Sequence, residues 1–280
     1  MAFLPRRRRA RKGAGVSFPT SSPGPCMRLL LTNDDGIEAS GLRALEASLE
    51  ATAECWVIAP AREQSAGGHA LSLRRPVHVD RLGERRFAVH GSPADCVYLG
   101  LQLLCQAPFD AVVSGINRGA NLALDVYYSG TVAAAREAAM WGIPALAVSL
   151  FVDNGRPSPS PCWASAAGLA GAVLRDLLAR GLPPEVLLSL NVPDLPPERI
   201  RGIRLARLGR RRWSRFAEER RDGEGRPHCW LGGTHLGFDG PPDSDGHLIE
   251  EGWAALCPLQ LDCTADSALA GLAAWDALQR

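Results

Sequence analysis

Leu29–Leu42 reads LLLTNDDGIEASGL. Three consecutive leucines running into Thr32 describe a strand buried on both faces, the kind found inside a parallel sheet. The strand gives way to Asn33, two adjacent carboxylates, Asp34 and Asp35, and then Gly36. From Gly41 to Leu49, Leu42, Leu45 and Leu49 fall on one face of a helix. Strand, polar turn and helix make the first half of a parallel α/β unit. The like charges at the turn repel each other, and something of opposite sign must sit across from them.

The same alternation continues along the chain. Cys55–Ala59 is predicted as a second strand, stopped by Pro60, and the polar loop Ala61–His69 follows. Short β-type pieces are expected near Leu71–Leu73, Pro76–Val79 and Phe87–Val89, then a helix from Pro93 to about Leu104. Ala111–Val113 is a third buried strand, leading into the glycine-rich loop Ser114–Leu122. Thr131–Met140 is an alanine-rich helix closed by Gly142 and Pro144. A strand at Ala145–Leu150, the linker NGRPSPSPC and a long helix at Trp163–Arg180 come next. Leu187–Asn191, Ile203–Ala206 and Trp253–Leu259 read as strands and Ala268–Leu278 as a final helix, whereas Gly209–Asp245 shows little periodicity. Strands alternating with helices imply a doubly wound, mainly parallel sheet.

Ligands of such sheets bind in the crevice outside the carboxyl ends of the strands. The polar residues at those ends are Asn33–Gly36, Arg62 to Ser65, the loop SGINRGAN ending at Asn121, and DVYYSGT before the alanine-rich helix. A dinucleotide site would need glycines where the two carboxylates stand, and these would repel a pyrophosphate. An aspartyl-phosphate phosphatase spaces its acids one residue apart, unlike this adjacent pair. Asp34 and Asp35 with serine hydroxyls and asparagine amides nearby offer hard oxygen ligands, suited to Mg²⁺ or Mn²⁺ or to Ca²⁺ rather than zinc. Ser129, Gly130 and Thr131 open the alanine-rich helix, where free N–H groups and the helix dipole favour an anion such as phosphate. Asn121 adds an amide to the same crevice. His69, His78 and His90 read as structural or solvated, and Trp56, Trp141 and Trp163 as core.

Taken in order, LLLTNDDGIEASGL, VIAPAREQSAGGHALSL, GSPADCVYLGL, VVSGINRGANLALDVYYSGTVAAAREA, GIPALAVSL and LNVPDLPPERIRGIRLARLGRR resemble the SurE family of metal-dependent nucleotidases from Met27 onward. The resemblance implies a Rossmann-like three-layer α/β/α sandwich and hydrolysis of nucleoside 5′-monophosphates, with 3′-nucleotides and short polyphosphate as further substrates. It also implies one divalent cation per subunit, held by Asp34, Asp35, Ser65 and Asn117, with Asp34 and Asp35 as the catalytic pair. Within about 200–260 it implies a projecting arm exchanged with a second subunit in a homodimer or homotetramer. The sequence departs from the family at Gln64-Ser65-Ala66, where a basic residue and a glycine commonly flank the serine.

The hydrophobic fraction of 46% and charged fraction of 22% suit a soluble globular protein of one large domain or two small ones. No apolar run approaches a membrane span. The eight cysteines are scattered with no C-x-x-C pair, which points to reduced thiols in a cytoplasmic protein. Net charge is +1, but residues 1–26 carry Arg6, Arg7, Arg8, Arg9, Arg11 and Lys12 and no acid. Without those six cations, 25 basic residues face 30 acidic ones, a balance of −5 and a poor match to nucleic acid. The leader is read as a disordered extension ahead of Met27, where a natural start would stand. The alternative is a nucleic-acid-binding protein acting through the leader and the Arg199–Arg226 cluster. Glu218, Glu219, Asp222 and Glu224 interrupt that cluster.

Overall fold

The computed structural model describes residues 27–152, 160–273 and 275. The arginine-rich leader, most of the NGRPSPSPC linker and the end of the chain lie outside the described residues. In chain order the elements are β1 (Met27–Thr32), α1 (Ser40–Leu49), β2 (Ala53–Pro60), β3 (Val79–Arg81), β4 (Arg86–Val89), α2 (Pro93–Leu99), β5 (Ala111–Arg118), α3 (Gly130–Met140), β6 (Ala145–Phe151) and α4 (Trp163–Arg180). They continue as β7 (Val186–Pro193), β8 (Ile203–Leu205), β9 (Arg210–Arg221), β10 (Pro227–Asp239), α5 (Asp245–Glu250), β11 (Ala254–Gln260) and α6 (Asp266–Leu272).

Among the described residues nine strands form one sheet, ordered β3-β4-β2-β1-β5-β6-β7-β11-β8. Pairing is parallel except for β3 against β4 and β11 against β7. The alternation of strand side chains sorts the core into two layers. Leu29 and Leu31 of β1 pack with Leu42, Leu45, Val173 and Leu174 of α1 and α4. Leu30 points the other way, toward Val97 of α2 and Val132 and Ala135 of α3. The expected three-layer α/β/α sandwich is therefore present. Alanine decides how α3 fits: Ala133, Ala134, Ala135 and Ala138 are fully buried, so the helix lies close on the sheet. The chain winds outward from β1 to β2 and β4, returns to β5 and winds the other way. Between β1 and β5 the winding reverses, and that is where a crevice opens.

Several elements differ from the sequence reading. Leu71–Leu73 forms no strand; its loop is tied down instead by the Ser72 N–H and hydroxyl, which both donate to Asp95 at 2.7 Å. The helix starting at Pro93 is α-helical only to Leu99, and a π-helical turn covers Gly100–Leu104. Gly100 sits hard on the sheet, where an added Cβ would fall 2.4 Å from Leu30 Cδ1. The third strand does not stop at Val113. It runs to Arg118, with an irregularity in its pairing to β6 between Ser114 and Asn117.

The largest difference is at Gly209–Asp245, read as irregular. Here β9 and β10 form a long antiparallel ribbon, a sheet of its own, with a bulge between His235 and Gly237. Most of β10 is exposed, so no buried face imposes a period-two pattern on the sequence. The rest of the 200–260 region belongs to the body, since β8 and β11 complete the main sheet. Four of the ribbon's arginines are matched by acids: Arg212 by Asp239, Arg220 by Glu218, Arg221 by Glu219 and Arg226 by Asp222. Among the described residues no helix is long and apolar enough to cross a membrane.

Candidate metal centre

The turn after β1 is held by its own side chain. Asn33 Nδ2 donates to the Gly36 carbonyl at 2.8 Å, and the Gly36 N–H donates to Asn33 Oδ1 at 3.2 Å. Gly36 has φ +104°, a conformation that L side chains rarely adopt. This closed turn presents Asp34 and Asp35 at the mouth of the crevice. The loop after β2 is joined to it by the Gln64 N–H, which donates to the Asp34 carbonyl at 2.8 Å.

The two carboxylates have different surroundings. Asp34 is only 5% exposed, and its Oδ1 accepts a hydrogen bond of 2.5 Å from the Thr131 hydroxyl. Burial pushes its pKa up to about 6; the Thr131 hydroxyl opposes the rise and the charge of Asp35 adds to it. Asp35 is half-buried, and its Oδ2 accepts the Arg118 backbone N–H at 2.9 Å. Burial raises it too, countered by that N–H and reinforced by Glu63. Neither carboxylate forms an ion pair among the described residues.

A cleft of about 400 Å³ opens over the pair, and Ser65, Asn117, Asn121 and Ser129 line it. The structure thus brings the sequence-predicted residues of four separate loops to one place. Ser65 is exposed, and its hydroxyl donates to Glu63 at 2.6 Å. Asn117 Nδ2 donates to the Gly119 carbonyl at 2.7 Å, which leaves its amide oxygen uncommitted to that bond. Asn121 is locked from three sides: Nδ2 donates to Ser149 Oγ at 2.8 Å, the backbone N–H to Asn191 Oδ1 at 2.9 Å, and the carbonyl accepts from Asn191 Nδ2 at 3.1 Å.

Gly130 and Thr131 do not line the cleft. Ser129 Oγ caps α3 by accepting the Val132 N–H at 3.0 Å. The anion that meets this helix terminus is the Asp34 carboxylate itself: both the hydroxyl and the backbone N–H of Thr131 favour its charge. Gly130 permits the approach, since a Cβ there would lie 2.7 Å from Asp34 Cβ. The sequence reading offered this terminus to a phosphate, because nothing local shows that another loop supplies a carboxylate.

Sequence reasoning passed over Glu63, Arg118, Asp125 and Tyr128, which also line the cleft. Glu63 and Arg118 stand beside Ser65 and Asn117 in the quoted motifs, so proximity to the expected ligands was the available signal. Nothing local announces that Arg211 of the ribbon reaches Asp125, where Nη1 donates to Oδ2 at 2.8 Å with the Arg211 side chain 8% exposed. His69 is paired with Glu137: Nε2 lies 2.8 Å from Glu137 Oε2, whose other oxygen accepts the Trp141 indole N–H at 2.9 Å.

Among the described residues no group of three or more His, Cys, Asp or Glu is placed to hold a metal ion. The donors over the cleft are instead two carboxylates, a hydroxyl and an amide, all hard oxygens. Their negative charge, half-withdrawn from water and without an ion pair among the described residues, fits a divalent ion that keeps part of its coordination for water or phosphate.

A family model described as survival protein SurE matches residues 29–215, which include every residue named at the cleft. The chain belongs to the SurE family. It is 45% identical over 250 residues to the 5′-nucleotidase SurE of Geotalea uraniireducens, spanning 89% of this chain and 99% of that protein. The 5′-nucleotidase SurE of Aeromonas hydrophila is 43% identical over 259 residues, 90% of this chain and 100% of that one. The crystal structure of the SurE protein from Aquifex aeolicus superposes with a TM-score of 0.77 at 32% identity, covering 88% of this chain and 98% of its own. The SurE fold is thus shared along nearly the whole described chain.

Proposed function

We propose that this SurE chain is a metal-dependent 5′-nucleotidase, hydrolysing nucleoside 5′-monophosphates to nucleoside and phosphate. One observation carries the reading: a closed turn delivers two carboxylates, which form no ion pair among the described residues, to a cleft with hydroxyl and amide oxygens at the reversal of the sheet. The relatives named 5′-nucleotidase SurE support the substrate class, since they match across nearly their entire length.

Asp34, Asp35, Ser65 and Asn117 would hold one divalent cation, with Mg²⁺ or Mn²⁺ favoured by the oxygen donor set and Ca²⁺ also accommodated. When bound, such a cation neutralises phosphate charge and lowers the pKa of a water for in-line attack. Asp34 is kept from swinging by Thr131. Ser129 and Asn121 face the cleft as the phosphate-side groups, with Asn121 oriented by Ser149 and Asn191. Asp35, half-buried, is the more accessible member of the pair and the carboxylate that a substrate or water reaches first. Hydrolysis of 3′-nucleotides and short polyphosphate requires no further residue in this scheme.

The alternative, nucleic-acid binding through the ribbon, is disfavoured because Arg212, Arg220, Arg221 and Arg226 pair with acids within the ribbon and Arg211 pairs with Asp125. Exposed Trp230, Leu231 and Leu236 of β10 suit packing against a second copy, consistent with a homodimer or homotetramer of a cytoplasmic enzyme. The test is phosphate release from 5′-AMP and 5′-GMP by metal-stripped protein resupplied with Mg²⁺ or Mn²⁺. Metal-restored turnover is expected; no turnover of any phosphate monoester with any divalent ion would sink the reading.

A further inference from the structure

The metal cleft has a neighbour. A second cleft, of about 350 Å³, shares Asp35, Glu63 and Arg118 with the first and extends to Ser40, Pro161 and Trp163. The two clefts are adjacent and share these three residues, so Asp35 of the acid pair borders both spaces.

Trp163 is the first residue of α4, and its position follows from two contacts. Its N–H donates to the Pro161 carbonyl at 2.8 Å, turning the chain into the helix. Its ring lies over the start of α1, where Cζ3 would stand only 3.0 Å from a Cβ on Gly41. Glycine at 41 is required first by the Ile116 carbonyl, 2.0 Å from where a Cβ would stand, and it also leaves room for the indole. One part of the ring packs on the core and the rest faces the cleft, half-exposed. From sequence this tryptophan reads as core alone. Across from it stands Arg118, whose backbone N–H is engaged by Asp35 while its guanidinium forms no ion pair among the described residues. A flat aromatic wall, an uncommitted guanidinium and a serine hydroxyl at the rim suit a planar heterocycle with hydrogen-bonding edges.

We infer that this second cleft receives the nucleobase of the substrate, stacked on Trp163 with its edge toward Arg118 and Ser40. The inference rests on the nucleotidase reading and deepens it. Phosphate lies at Asp34 and Asp35, the ribose passes the shared wall, and the base occupies the pocket beyond. Stacking on an aromatic side chain accepts every base, so the pocket confers preference for nucleotides over other phosphate monoesters.

The experiment compares 5′-AMP with ribose 5-phosphate, which has the same reacting group and no base, on the full chain with Mn²⁺. Trp163→Leu keeps apolar bulk against Gly41 and removes the aromatic face, while Trp163→Phe keeps a ring. The ratio of kcat/KM for 5′-AMP over ribose 5-phosphate is expected to fall about tenfold in Trp163→Leu, mostly through KM, and to be largely retained in Trp163→Phe. Saturation transfer by NMR from the metal-free protein to the adenine protons of adenosine should follow the same order. An unchanged ratio and unchanged transfer in Trp163→Leu would overturn the subsite and leave the phosphatase reading standing. So would a loss of the ratio in Tyr128→Leu and not in Trp163→Leu, which would put the base on the opposite flank. Wild-type protein that hydrolyses neither compound would overturn both readings.

Discussion

The two walls of the metal cleft are built differently. On the α3 side, Asp34, Gly130 and Thr131 are buried against one another, and a hydroxyl, a backbone N–H and a missing Cβ all hold one carboxylate in place. On the side of the loop after β2, Ser65 and Glu63 are exposed and bonded mainly to each other. The first wall is in position before any ligand arrives; the second can adjust. Burial and hydrogen bonding fix the position of the Asp34 charge. The Ser65 hydroxyl stays in solvent, and its donation to Glu63 leaves the oxygen lone pairs open to a further partner.

That contrast ranks the mutations. Asp34→Asn should have the largest effect, lowering Mn²⁺ affinity and metal-dependent phosphatase rate by more than about a hundredfold, beyond the usual loss from a residue that only supports a ligand. Metal-free stability should hold or rise, because one of two repelling charges in a poorly hydrated site is gone. Thermal melts in chelator, with calorimetric Mn²⁺ titration, check both statements.

Thr131→Val comes next. It keeps the shape and removes the donor to Asp34, and metal affinity should fall about 10- to 100-fold. Gly130→Ala pushes a methyl into Asp34 and should cost about 1–3 kcal/mol in urea unfolding, with a weaker loss of metal affinity than Thr131→Val. Ser65→Ala should do least. Stability should stay within about 0.5 kcal/mol, as for exposed positions generally, and metal affinity should fall less than in either α3-side variant. If Ser65→Ala proved as damaging as Thr131→Val, the contrast between a fixed and an adjustable wall would fail.

How much of this was legible follows from where each signal lies. The strand–turn–helix units were legible, because burial on both faces writes leucine and valine runs that need no partner to be recognised. The acid pair was legible as well, since two charges at a buried strand end conflict with their surroundings in any fold. The ribbon at Arg210–Asp239 was not, because most of it is exposed and its pairing imposes no hydrophobic alternation. The pairing of Asp34 with Thr131 was also hidden. The residues lie far apart in sequence, and the helix start looked ready for an external anion until the fold supplied an internal one. Trp163 reads as core from sequence and does pack on the core; that it also lines a cleft was hidden, because nothing local shows which loops stand beside it.

The account's central claim is that Asp34 and Asp35 exist to hold one divalent cation. The most direct measurement is the thermal melting of wild type and Asp35→Asn, each with and without millimolar Mn²⁺. Saturating metal should raise the wild-type Tm by roughly 5–10 °C, the shift that ligand linkage gives a domain of this size at about a hundredfold excess over Kd. Asp35→Asn should melt no lower than wild type without metal and gain little from Mn²⁺. An Asp35→Asn protein whose metal-induced shift equals that of wild type would mean the carboxylate pair is structural and the cation site lies elsewhere.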